Sequence, residues 1–216
     1  MTSGSAPDSS TPLVEDESHG LIPTHITTQG QLNEWESENI LTAVGWATSR
    51  GDHDVVTDST ARELHRRMFD RTWEWAGKYR RTDKNIGVPW RSITTAVRDG
   101  CDDINAWIDA GTYSPLETAV RAHHRLVLIH PFPNGNGRVS RLWAEMIGRS
   151  LGLSAIPWGG SDLGAAAVAR NQYLNALRRA DKGDFGALLA FCAQVKAWSN
   201  ATILFACPAP KSPRRK

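Results

Sequence analysis

The run His130-Pro131-Phe132-Pro133-Asn134-Gly135-Asn136-Gly137-Arg138-Val139-Ser140-Arg141 reads as a helix end, a glycine-rich loop and a helix start. A residue before proline is pushed out of the α region, so Pro131 closes the preceding helix near His130. Pro133, Gly135 and Gly137 then forbid regular structure, and glycine tolerates left-handed backbone. Beyond Arg138 a helical apolar pattern resumes with Leu142, Trp143, Met146 and Ile147. A glycine turn feeding a helix N-terminus aims free backbone N–H groups at one spot, with the positive end of the dipole behind them. Arg138 and Arg141 add two cations on one helical face, and His130 stands at the rim as a titratable base. Phosphate chemistry is the reading.

Each residue has a bland alternative. His130 would also serve as a cation at a helix C-terminus. Asn134 suits an Asx turn as well as a metal ion, to which an amide oxygen brings no charge. Gly135, Asn136 and Gly137 supply a backbone nest for phosphate oxygens. Arg141 would grip outer phosphates or pair with Glu145 one turn on, and Phe132 anchors the loop in either case.

Outward from the loop, Ser114-Pro115-Leu116-Glu117 starts the helix that delivers His130, with a capping Ser, a proline at the first position and a capping-box Glu. Upstream, helices are expected from Gln31 to Thr48, from a Thr60/Glu63 capping box through Met68 and Trp75, and from Ser92 to Asp109. On the first, Asn39 falls within the apolar face and needs a partner there. Between Gly77 and Pro89 the polar run with Tyr79 and Ile86 suggests an irregular hairpin. Downstream, helices are expected from about Arg138 to Ser150, from a cap at Ser161 or Asp162 to Ala180, and from Phe185 to Phe205. The fold class is all-α, a helical bundle with one small β-hairpin.

The 216 residues suit one domain with a substantial core, to which nine Trp contribute. A formal net charge of +2 gives no reason to expect direct nucleic-acid binding. Residues 1–20 carry Asp8, Glu15, Asp16 and Glu17 without Lys or Arg and read as a disordered tail. Residues 206–216 form a basic tail with Lys211, Arg214, Arg215 and Lys216. Three cysteines without metal-ligand spacing, no secretory signal and no apolar run of spanning length point to a cytoplasmic protein away from membranes.

The twelve-residue run also resembles the signature of the Fic family, His-Pro-Phe-x-(Asp/Asn)-Gly-Asn-Gly-Arg-x-x-Arg. Its members mostly transfer AMP from ATP onto a protein hydroxyl. The wider chain, from Gly20 to about Ala197, is similar to the bacterial Fic proteins of mobile elements called mobile mystery protein B. The resemblance implies a Fic-type catalytic core over residues 51–205, ATP as substrate, Mg²⁺ as cofactor near Asn134, and His130 as general base. The target is then a protein bearing a Ser, Thr or Tyr hydroxyl, and a helix-turn-helix partner is implied by the mobile-element proteins. Lys78 to Val88 corresponds to the flap that lays the target across the site, with Tyr79, Arg80, Thr82, Ile86 and Gly87 as docking residues. Asn171 and Tyr173 fall where family members contact adenosine, although by periodicity Tyr173 is plain core. The N-terminal helix, residues 21–50, carries Glu38-Asn39, matching an inhibitory motif whose Glu pairs with the second arginine; its usual Ser/Thr position is Glu34 here. Left open are removal of AMP, transfer of another phosphate-linked group, and a non-enzymatic nucleotide-binding module.

Overall fold

The computed structural model describes residues 20–51, 54–158 and 166–193. The expected tails, the cap at Ser161 or Asp162 and the last helix beyond residue 193 lie outside them.

Seven α-helices make up the described residues: α1 (Gln29–Ser49), α2 (Asp58–Phe69), α3 (Ile93–Asp109), α4 (Pro115–Ile129), α5 (Asn136–Ser150), α6 (Ala166–Ala180) and α7 (Gly186–Ala193). None of them is long and apolar enough to cross a membrane. The helices α4 and α5 flank the glycine loop and form the central pair, with α3, α6 and α7 around them and α1 on α2. One continuous core runs through them, with Leu64, Phe69, Leu126, Phe132, Trp143 and Ile147 at its centre.

Local chemistry sets the boundaries. Thr28 opens α1 in a capping box with Gln31. The cap of α2 is Thr57, whose hydroxyl accepts from the Thr60 N–H at 3.1 Å; the expected Thr60/Glu63 box does not form. The reason is that Thr60 is buried and donates to the Asp54 carbonyl at 2.7 Å, while Glu63 bridges Arg66 and Arg67, each at 2.7 Å. The helix ends at Phe69, short of Trp75. For α4, Ser114 caps as expected, with Pro115 at the first turn.

Asn39 finds its partner at the C-terminus of α2. Its Nδ2 donates to the Arg67 carbonyl at 2.9 Å and its Oδ1 accepts the Arg71 N–H at 3.1 Å. The only β pairing among the described residues is an isolated antiparallel bridge between Leu21 and Trp73. Residues 78–88 form no strand ladder, so the expected hairpin is an irregular excursion. The backbone N–H groups of its arms bond to the glycine-loop entrance: Arg80 N–H to the Pro131 carbonyl at 2.9 Å and Val88 N–H to the Ile129 carbonyl at 3.2 Å.

Candidate active site

His130 caps α4 in the left-handed region at φ 53°, ψ 57°. That conformation turns the chain out of the helix and into the loop. Burial lowers the His130 pKa to about 4, the charge of Arg80 acts in the same direction, and a backbone hydrogen bond to Val127 opposes them. The imidazole is therefore neutral at neutral pH. Its Nδ1 is the buried nitrogen, which leaves Nε2 to meet a substrate.

The loop is held rigid from inside. The Asn136 side chain accepts the Phe132 N–H at 2.9 Å and donates to the Phe132 carbonyl at 2.8 Å. Its amide is thus a brace, and the residue offers phosphate its backbone N–H alone. Phe132 is fully buried and stacks on His65, centroids 3.8 Å apart and planes at 7°. Gly135 caps α5 at φ 74°, and a Cβ there would sit 2.5 Å from the Phe69 ring. Only glycine fits. At Gly137 a Cβ would meet nothing within 4 Å, so this glycine leaves open space over the first turn of α5. Among the described residues the N–H groups of Asn136 and Gly137 enter no backbone hydrogen bond; the first backbone bonds of the turn are those of Arg138 and Val139 to the Gly135 carbonyl, both 3.0 Å. Two donors at the positive end of a helix face that open space.

Asn134 Oδ1 accepts the N–H of the next residue, Gly135, at 2.7 Å, rather than the N–H two residues on that an Asx turn would engage. A carbonyl oxygen keeps a second lone pair, so the same atom can ligate Mg²⁺ without giving up that bond. No cluster of three metal-binding side chains exists among the described residues, so Asn134 would be a lone protein ligand to a metal held mainly by phosphate.

His65 was not among the expected site residues. It is completely buried: its Nδ1 accepts the Gly77 N–H at 2.9 Å, which leaves Nε2–H to donate to the Asn134 carbonyl at 3.1 Å. Burial lowers its pKa to about 3, against the Asn134 bond and with the charge of Arg138. A periodicity reading could have found it, because His65 shares the buried stripe of Ala61, Leu64 and Phe69.

The arginines point different ways. Arg138 crosses the Phe69 ring at 4.7 Å and pairs with Glu36, Nη1 to Oε2 2.5 Å. Glu36 is 6% exposed and also accepts the Trp73 indole N–H at 2.7 Å. Glu38 is exposed and makes no ion pair among the described residues, so the structure brings Glu36, not Glu38, to the motif. Arg141 is buried over the Tyr173 ring at 4.7 Å. Glu145 bonds the Ile156 N–H at 3.2 Å and the Trp158 indole at 2.9 Å.

The remaining expected positions divide in the same way. Tyr173 lies in the core with its hydroxyl 2.9 Å from His123 Nε2, and Asn171 is exposed on α6. In the excursion Thr82, Ile86 and Gly87 are exposed. Tyr79 turns inward, donating to Asp58 and packing 5.4 Å from Phe132. Arg80 is 3% exposed, and its guanidinium is engaged by carbonyls of its own chain, so it cannot reach a docked target.

These features define a helical domain whose glycine turn presents an anion cradle beneath a neutral histidine. Residues 55–147 match the Fic/DOC family. The chain is 30% identical over 156 residues to protein adenylyltransferase fic-1 of Caenorhabditis elegans, covering 70% of this chain and 29% of that protein. It is 29% identical over 145 residues to protein adenylyltransferase Fic of Nematostella vectensis, covering 65% and 32%. The chain thus spans less than a third of these curated relatives. Among solved structures it resembles C. elegans Fic-1 residues 134–508, with TM-score 0.59, 22% identity, and 90% and 56% of the two chains covered. It also resembles the N-terminal Fic domain of a Bartonella quintana VirB-translocated effector with bound ADP, with TM-score 0.60, 19% identity, and 78% and 86% covered. At these identities the likeness establishes the fold.

Proposed function

We propose that the protein transfers AMP from ATP to a Ser, Thr or Tyr hydroxyl of a target protein. The observation that carries this is the juxtaposition on one loop of a neutral His130 and the open, N–H-lined first turn of α5. The adenylyltransferase activity for which the relatives are named supports it.

The ATP phosphates lie on the Asn136 and Gly137 N–H groups, with Arg138 and Arg141 neutralising the outer ones. Mg²⁺ bound to the phosphates, with Asn134 Oδ1 as protein ligand, would supply further charge neutralisation. The target hydroxyl oxygen attacks the α-phosphorus while His130 Nε2 takes its proton. The bond from the α-phosphorus to the bridging oxygen breaks, and pyrophosphate leaves with its charge held by the cradle. Bound phosphates also raise the proton affinity of the adjacent imidazole, opposing burial. The adenosine end lies toward α6, and the exposed face of residues 81–87 receives the target chain.

The restraint expected of α1 falls to Glu36. Its carboxylate neutralises Arg138, which must turn to phosphate for transfer. Glu38 on the exposed face is not in a position to do this. Cytoplasmic location, read from the cysteine usage, forms part of the same proposal, as do a mobile-element setting and a helix-turn-helix partner, which rest on family resemblance.

The test uses α-labelled ATP with Mg²⁺ on wild type, His130→Ala, Glu36→Gln and Glu38→Gly, seeking label on the protein itself and on cell lysate. Label lost in His130→Ala with ATP still bound supports the base. Label raised roughly 5–150-fold in Glu36→Gln, the span of ordinary coupling energies, and unchanged in Glu38→Gly supports the restraint. ATP bound without label in any variant favours removal of AMP or another donor. Activity surviving in His130→Ala overturns the mechanism.

A further inference from the structure

We propose that Arg80 is the positioning residue of this site: its buried guanidinium holds the left-handed backbone of His130 and both arms of the excursion in one rigid knot. This rests on the reading of His130 as general base.

The sequence places Arg80 in a polar, cationic run, where a solvated side chain is the ordinary expectation. The structure buries it completely among backbone oxygens. Nε donates to the His130 carbonyl at 2.7 Å, Nη1 to the Thr82 carbonyl at 2.8 Å, and Nη2 to the Val88 carbonyl. The Arg80 N–H itself holds the Pro131 carbonyl at 2.9 Å. One residue therefore satisfies carbonyls on the descending arm, the returning arm and the two residues that begin the glycine loop. Only the planar five-donor fork of arginine can reach three such acceptors at once; an ammonium offers donors from a single point.

The fit around this knot is close. Gly87 adopts φ 97°, and a Cβ there would lie 2.6 Å from His130 Cβ and 2.9 Å from Arg80 Nη2. The returning arm thus presses directly on the histidine, and Arg80 fills the space behind it. Nothing in the helix itself keeps a side-chain-bearing residue in the left-handed region. The Arg80 bond to the His130 carbonyl supplies that constraint, because the peptide plane cannot rotate without breaking it. A target laid on residues 81–87 would therefore act on the base through Arg80 and Gly87.

Among the described residues the one ion pair of Arg80 is the long contact to Asp83, 3.8 Å away and mostly exposed, which also accepts the Trp90 N–H at 2.8 Å. The positive charge behind His130 helps keep the imidazole unprotonated. Geometry and charge act in the same direction.

The experiment compares Arg80→Met, Arg80→Lys and the exposed control Arg98→Met on α3 in the full chain. Saturating ATP, ATP affinity, thermal midpoint and the acid limb of the pH–rate profile are read, with label transferred to the protein itself as the activity. Arg80→Met is expected to lose roughly 10²-fold in the saturated rate, the scale of a displaced catalytic group, while ATP affinity holds within about twofold. Its acid limb moves to higher pH. Arg80→Lys loses rate but keeps the limb in place, because the charge remains. Arg98→Met behaves as wild type. A folded Arg80→Met with the wild-type rate and limb overturns the proposal, as does a loss of rate that tracks ATP affinity. If Arg80→Met does not fold, Arg80→Lys decides: a wild-type rate there removes the fork from the argument. A further readout is independent of turnover. The His130 ring resonances, followed by NMR without nucleotide, are expected to move in Arg80→Lys and not in Arg98→Met. Unmoved resonances overturn the positioning role even if wild type transfers no AMP, and moved resonances with no transfer would fault the enzymatic reading alone.

Discussion

Two glycines two positions apart make opposite predictions because they answer different physical demands. Gly135 combines a φ of 74° with ring atoms 2.5 Å from where a Cβ would stand. Gly135→Ala is expected to destabilise the protein by about 1–3 kcal/mol, the cost of strained backbone and overpacking, measured by urea unfolding. Gly137 has open space around it, in the first turn of a helix where alanine is the better former. Gly137→Ala should keep or raise stability, yet weaken ATP binding at least tenfold by placing a methyl over the N–H groups. Equal effects of the two on stability would contradict the cradle. The glycines themselves were plain in the sequence, whereas their division of labour was not, because only the position of Phe69 distinguishes them.

At the scale of elements, α1 brings to the motif a glutamate other than the one the family pattern suggested. Glu36 and Glu38 differ by two residues, roughly 200° around a helix, so one faces the core when the other faces water. The buried stripe Leu32, Glu36, Asn39, Ile40, Ala43 and Ala47 includes Glu36 by simple periodicity. A motif match favoured Glu38 over that signal. Asn39, by contrast, was recognisable as a polar residue on an apolar face, and it joins α1 to the end of α2 through Arg67, Arg71 and Thr72. Asn39→Ala is expected to cost about 1–3 kcal/mol, since it leaves buried polar partners unmet. Limited proteolysis should then release α1 first. An unchanged denaturation midpoint would mean that apolar packing alone docks the helix. The excursion after Gly77 was legible as non-helical but not as unpaired. Its hydrogen bonds run to residues 129–131, about 50 positions away, and local sequence carries no sign of them.

For the whole molecule, three histidines held below their ordinary pKa, the buried His65 and His123 and the half-buried His130, set the response to acid. Burial lowers His65 to about 3 and His130 to about 4, and holds His123 well below its ordinary value. In each case the unfolded chain takes up a proton near pH 6.5 that the folded chain refuses. Their stabilising contribution is therefore complete above pH 6.5 and is lost as pH falls toward 4. Glu145, raised by burial, works in the opposite sense as a single group. Thermal midpoints should fall steadily from pH 6.5 to 4; a flat profile would mean that these rings are solvated. The all-helical class and the histidine-headed loop were readable, because periodicity and glycine spacing are local. His65 and Arg80 were not, because each acts by reaching across 50 to 69 residues of chain to a backbone carbonyl.

The central claim is that this loop moves AMP rather than phosphate. The most direct measurement incubates the protein with ATP labelled on the α-phosphorus and, in parallel, on the γ-phosphorus. The account predicts α-label on protein, γ-label recovered in pyrophosphate, and both signals absent in His130→Ala. The γ-label on protein, or α-label undiminished without His130, would contradict it.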